Sequence, residues 1–178
     1  MADAASHYRN FLAALGFTGD EELGQTPEKV SELFGEFAPK KDKPAIKVLP
    51  TESNEPIVLE KLPFHSLCAH HLVPFFGHAK IAYLPNKKIA GFGCIVRSLH
   101  HFSRQPQLQE RLGEQLASHL QEALGASAVL IELESRQLCM EMRGVKSTGQ
   151  VRTLHRKIAP GIDPTSHPIR LLEKLVYG

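Results

Sequence analysis

Apolar positions along the chain change their spacing several times, and each change predicts a different element. Over residues 1–40 they recur at helical spacing. In "TPEKVSELFGEF", Val30, Leu33, Phe34 and Phe37 fall along one side, Thr26 is the expected N-cap and Pro27 takes the first helical position. The stretch "APKKDKPAIKVLPTESNEP" is an exposed connection with one short strand at Ile46–Leu49. The pattern then shifts to period two: "IVLEKL", "HAKIAYL" and "KKIAGFG" read as strands, the last two joined by a turn at Leu84–Lys88. Helical spacing returns in "FSRQPQLQERLGEQLASHLQEALG", where Leu108, Leu112, Leu116, Leu120 and Leu124 form an i, i+4 stripe between a capping Ser103 and a terminating Gly125. Two further strands, "SAVLIELES" and "RQLCMEMRG", precede a short C-terminal helix at "HPIRLLEKLVY".

Strands in adjacent pairs around one long helix predict an α+β domain, an antiparallel sheet with helices packed on one face. We expect a helical segment at 1–40 and the main domain at 41–178, a single domain overall, since 178 residues support one core rather than two.

Composition narrows the functional classes. A net charge of +2, no Trp and 7% aromatic residues argue against nucleic acid as partner, which needs a concentrated basic face or stacking platforms. No run approaches the ~18 apolar residues of a membrane span, and "MADAASHYRNFLAALGF" has no basic start followed by an apolar block. Three cysteines do not build a disulfide framework, so reduced thiols in a cytoplasmic setting are expected. Ten histidines direct attention to metal or proton-transfer chemistry.

That chemistry concentrates in "HSLCAHHLVPFF". Cys68 and His71 are soft-metal donors three residues apart, which one turn of chain can fold around an ion, and His70 is left over beside them. Read as a strand, "RQLCMEMRG" turns Gln137, Cys139, Glu141 and Arg143 to one face and Leu138, Met140 and Met142 to the core. Cys68, His71 and Cys139 would then make a Cys2His set with a fourth position for water, the catalytic zinc arrangement. Zinc lowers the pKa of such a water to ~7, and His70 could shuttle its proton. Cys94 competes as third ligand, and a simpler reading makes Cys139 a small buried hydrophobe.

Taken together, the motifs resemble the GTP cyclohydrolase I family. "TPEKV" looks like its N-terminal helix motif, "FHSLCAHHLVPFFGHAKIAYLP" like its zinc segment, "RQPQLQERL" like its substrate-recognition helix and "LCMEMRG" like its second zinc strand. The resemblance implies the tunnelling fold and hydrolysis of the GTP imidazole ring at C8, with release of formate and formation of dihydroneopterin triphosphate for tetrahydrofolate biosynthesis. It implies Zn2+ on Cys68, His71 and Cys139, with His70 handling protons. It also implies Glu110 with Gln109 on the guanine edge, Arg97 and Arg143 facing the triphosphate, and a homo-oligomer, a toroidal decamer with active sites between subunits.

The chain departs from the family pattern near the chemistry. Ala69 stands where the family has Glu, Gln137 where it has a histidine serving the later steps, Gly93–Cys94 where it has Ser-Lys, and Lys29 where it has Arg. An amide at 137 exchanges hydrogen bonds but carries no proton; His100 or His101 is a candidate replacement. His78, His119, His155 and His167 are expected on the solvated surface. Three functions follow: a working GTP cyclohydrolase I, a diverged hydrolase of another purine or deazapurine (or one that stalls after ring opening), and a silent protein holding zinc with a fourth ligand.

Overall fold

A computed structural model describes residues 2–178. The chain divides between Pro39 and Lys40 into two compact units. The first holds helices α1 (Ala2–Ala14) and α2 (Thr26–Glu36) with a 3-10 turn at Glu21–Leu23. Asp20 caps that turn by accepting from the Glu22 amide at 2.9 Å. Pro27 sits in the first turn of α2 as expected, but Thr26 is already helical and Gln25 occupies the N-cap position without a side-chain bond.

The second unit runs in the order β1 (Val48–Pro50), β2 (Ile57–Cys68), β3 (Pro74–Leu84), β4 (Lys88–Ala90), α3 (Phe92–Ser103), β5 (Pro106–Gln107), α4 (Gln109–Leu124), β6 (Ala128–Gln137), α5 (Leu138–Glu141), β7 (Gln150–Ile158) and α6 (His167–Tyr177). Five strands form one sheet in the order β5-β2-β3-β6-β7, antiparallel except for the two-residue β5 alongside β2; β1 and β4 pair separately. Alternation assigns the faces. Ile81, Tyr83, Val129, Ile131 and Leu133 point to one side, where α3 adds Ile95, Leu99 and Phe102. There α4 adds Leu112, Leu116, Leu120 and Leu124, all fully buried, each worth about 1.5–3 kcal/mol. Ala82, Leu84, Ala128 and Leu130 point to the other side and are covered by Ile169, Leu172 and Val176 of α6. The α+β class and the antiparallel sheet stand as expected, and the C-terminal helix adds cover to the second face.

Gly77 permits close approach of β3 and β6, because a Cβ there would run into the backbone of Glu134 and Ser135. Gly125 ends α4 in the left-handed region at φ 57°, as its position predicted.

Four readings are corrected. The segment after Gly91 is helix α3, not the end of a strand, and Ser103 closes that helix rather than capping the next, which starts after Leu108. The polar segment 150–158, to which the spacing pattern assigns no element, is a strand. Leu138–Glu141 is a single helical turn, so Gln137, Cys139, Glu141 and Arg143 do not share a strand face. The cause lies in the partner strand: Phe75↔Gln137 is the last pair between β3 and β6, and Pro74 begins β3. The Met142 amide donates instead to the Leu138 carbonyl at 2.8 Å. Finally, His119 is buried and His155 half-buried, neither on a solvated surface.

Candidate metal centre and substrate cavity

Two chain reversals meet at the end of the sheet. In the first, β2 runs straight into Cys68 and turns back, the amides of His71 and Leu72 both donating to the Cys68 carbonyl, at 3.2 and 2.8 Å. Leu72 takes the left-handed conformation at φ 53° to complete this tight loop. The Cys68 amide donates to the Val73 carbonyl at 2.9 Å, and the Ala69 amide to the Gln107 carbonyl at 2.9 Å, which ties the loop to β5. In the second, β6 ends at Gln137 and the turn α5 carries Cys139 inward. Outside this turn Arg136 donates to both carboxylate oxygens of Glu141, at 3.0 and 2.6 Å, and holds the Glu141 carboxyl below its ordinary range.

The two reversals bring one donor atom each from Cys68, His71 and Cys139 within 4.8 Å of one another. The Cys68 Sγ to His71 Nδ1 distance is 3.6 Å. Ligands about 2.0–2.3 Å from one tetrahedral zinc lie about 3.5–3.8 Å apart, so the set needs only a small contraction. Burial, followed by the neighbouring Cys68, pushes the Cys139 thiol above its ordinary value. Two thiols and an imidazole packed this way suit a soft divalent metal. Cys94 is not among them. Its Sγ accepts from the Lys47 amide at 3.4 Å and from Arg97 Nη2 at 3.0 Å, on α3.

Arg143 Nη1 lies 2.5 Å from His71 Nε2. Arginine only donates, so Nε2 must be the acceptor and Nδ1 carries the proton. A metal on Nε2 would take the same lone pair, and a metal on Nδ1 would move the proton to Nε2. Either way, Arg143 must turn aside.

A cavity of about 340 Å³ opens beside the cluster and is shared by Cys68, His70, Gln109, Glu110, Gln137 and Cys139. His70 is exposed at its rim, its ring edge-on to that of His71 with centroids 6.0 Å apart. Glu110 is exposed on the first turn of α4. Gln109 is different. It is 3% exposed, and its Nε2 faces the carbonyls of Leu133 and Val151, both at 3.0 Å, and Thr153 Oγ1 at 3.2 Å. Its Oε1 accepts from Ser135 Oγ at 2.6 Å and Gln137 Nε2 at 2.8 Å. This amide is spent on the protein itself, and Gln137 is tied to it. Ser135 and Thr153 belong to this network, and nothing in their sequence setting marked them.

Arg97 does not reach this cavity: it lines another one with His100, His101 and Arg104. Neither His100 nor His101 therefore supplies an imidazole at the cysteine cluster of its own chain.

Comparison with known proteins finds relatives over most of the chain. The GTP cyclohydrolase I family profile matches residues 4–159. A "GTP cyclohydrolase 1" from Hydrogenobaculum sp. (strain Y04AAS1) is 44% identical over 131 residues, covering 72% of this chain and 71% of that protein. Another from Aquifex aeolicus is 40% identical over 146 residues, with 80% and 79% covered. A third, from Streptococcus agalactiae serotype Ia, is 40% identical over 148 residues, with 78% of each covered. The solved apo form of the archaeosine synthase QueF-Like is similar at 15% identity and a TM-score of 0.42, over 58% of this chain and 95% of that one. Since the family profile spans the main sheet, both chain reversals and every cavity residue between them, the chain belongs to the GTP cyclohydrolase I family.

Proposed function

We propose that the protein is a zinc-dependent hydrolase that opens the imidazole ring of GTP at C8 and releases formate. The observation that carries this reading is the meeting of Cys68, His71 and Cys139 beside a cavity that also holds His70 and Glu110. Cys68, His71 and Cys139 would hold the metal, which supplies Lewis-acid activation of water at neutral pH when bound. His70, unattached beside the cluster, takes a proton as water adds to C8 and returns it to the departing ring nitrogen. Glu110 accepts from the ring N–H and exocyclic amine of guanine. Arg143, once turned from His71, has a guanidinium fork suited to phosphate oxygens.

Arg97 is the other phosphate contact in this reading, and its place in a separate cavity supports a site shared between copies of the chain. The protein is accordingly a homo-oligomer, a decamer by family resemblance, and small purine nucleotides are its substrates. The division of labour between a helical segment at 1–40 and a catalytic domain at 41–178 belongs to the same proposal. Among the described residues no helix is long and apolar enough to cross a membrane.

Gln137 favours a second reading of the later steps. Its amide is hydrogen-bonded to Gln109 and to Ser135 Oγ, at 2.8 and 3.0 Å, and carries no proton. Turnover would then stall after ring opening instead of reaching dihydroneopterin triphosphate, or the natural substrate is another purine. Zinc-loaded protein incubated with GTP tests both, with formate measured directly and pterin by fluorescence after oxidation. Formate with pterin supports the full reaction, formate alone supports the stalled one, and neither, with zinc bound, removes GTP as substrate.

A further inference from the structure

The first turn of helix α3 carries two residues, Gly93 and Cys94, that no part of the proposed mechanism uses. They are the pair that stands where the family pattern has Ser-Lys. Cys94 is buried, and its backbone amide donates to the Gly91 carbonyl at 2.8 Å. Its Sγ accepts twice. The Lys47 amide donates to it at 3.4 Å, and Arg97 Nη2, three residues further along the helix, donates at 3.0 Å. Both partners only donate, so the sulfur acts as acceptor towards each. The Gly91 amide donates in turn to the Lys47 carbonyl at 3.1 Å, which ties the chain at Lys47 to the start of the helix.

The guanidinium of Arg97 therefore folds back toward the helix start instead of reaching outward. A Cβ at position 93 would lie 3.4 Å from Arg97 Nη1, so the bare backbone there leaves room for the guanidinium plane beside the first turn. Gly93 supplies the floor of this seat and Cys94 its anchor. Among the described residues Arg97 forms no ion pair, and the sulfur is the side-chain acceptor that holds it. A lysine at 94 would set two like charges three residues apart on the helix and offer no acceptor. Cys94 puts a hydrogen bond where that repulsion would stand. One N–H of the guanidinium is spent on sulfur, and the others stay free in a fixed orientation. Immobilising a rotamer-rich side chain in advance removes an entropic cost otherwise met on binding.

We infer that Cys94 is a positioning residue, whose sulfur presets the Arg97 guanidinium for an anionic group of the substrate. The inference rests on the reading of Arg97 as a phosphate contact and adds what holds that contact in place.

Calorimetric titration of the zinc-loaded full chain with GTP, and with guanosine, which lacks the phosphates, tests this. Cys94→Ala removes the acceptor and is expected to weaken GTP binding about three- to tenfold while leaving guanosine unchanged. Cys94→Ser keeps an acceptor at the same place and is expected to retain most of the wild-type affinity for GTP. In an Arg97→Gln background Cys94→Ala is expected to cost nothing further, since the side chain it orients is gone. Equal weakening of GTP and guanosine by Cys94→Ala, or an undiminished effect in the Arg97→Gln background, would overturn the inference. So would unchanged or tighter GTP binding in Cys94→Ala when Arg97→Gln alone weakens it. GTP binding that Arg97→Gln leaves unaffected would instead remove Arg97 as a phosphate contact, and the inference with it.

Discussion

Gln137 Nε2 donates to Gln109 Oε1 at 2.8 Å, joining the end of β6 to the first turn of α4. The same Gln109 reaches the carbonyls of Leu133 on β6 and Val151 on β7, so one buried amide sews two strands to the helix that carries Glu110. Gln109→Leu leaves buried carbonyls and the Ser135 hydroxyl without this partner. A loss of about 2–3 kcal/mol is expected, read as a lower denaturant midpoint at unchanged slope. A change under 0.5 kcal/mol would mean the network contributes nothing.

Gly113 lies on the buried side of α4, where a Cβ would strike the ring of His155 on β7. Alanine gains up to ~1 kcal/mol of helix propensity over glycine, but overpacking typically costs about 1–3 kcal/mol. Gly113→Ala is therefore expected to lower the melting temperature. Adding His155→Ala should recover part of the loss, a non-additivity that a thermal double-mutant cycle measures directly.

Three histidines set a pH dependence. Burial is the main cause that holds His101, His119 and His155 below their ordinary value of 6.5, with lysines adding to it at His101 and His119. A depressed pKa means the folded state binds fewer protons than the unfolded chain below pH 6.5, so stability rises with pH across that window. It is complete above about 6.5 and lost as pH falls toward the folded values. Among the described residues Nε2 of His119 and of His155 is buried without a partner, so neither nitrogen gives up a hydrogen bond if removed. Urea midpoints from pH 7.5 to 5 should fall steadily for the wild type and less steeply for His119→Leu. Equal slopes would contradict this assignment.

Arg143 competes with a metal for His71, as its 2.5 Å approach to Nε2 requires. Arg143→Gln should tighten zinc binding about 2–10-fold, the worth of one neutral-acceptor hydrogen bond, in competition with a chromophoric chelator. Weaker binding would make Arg143 a support of the site.

Much of this site was legible in the residues, for physical reasons. A C-x-x-H turn needs only local chain reversal, so Cys68 and His71 declare themselves, and Cys139 is the thiol that the second reversal delivers. How it arrives was not legible. The alternation of Leu138, Met140 and Met142 continues past the point where β3 stops offering partners, and period alone does not record where a neighbouring strand ends. Helix α3 hid behind "KKIAGFG", whose alternation reads as a strand running through Gly91 to Gly93, although Ile95, Leu99 and Phe102 already keep helical spacing. β7 was invisible because Arg152, Leu154 and Arg156 face solvent while Thr153 and His155 are only half-buried, leaving no apolar rhythm. Gln109 looked like a substrate contact because it precedes Glu110; that its amide is consumed by strand carbonyls depends on residues 24 and 42 positions away.

The account stands most directly on the zinc stoichiometry of purified variants, read by mass spectrometry under native conditions. One ion per chain is expected in the wild type and in Cys94→Ser, and none in Cys68→Ser or Cys139→Ser. Full occupancy in Cys139→Ser, or its loss in Cys94→Ser alone, would contradict it.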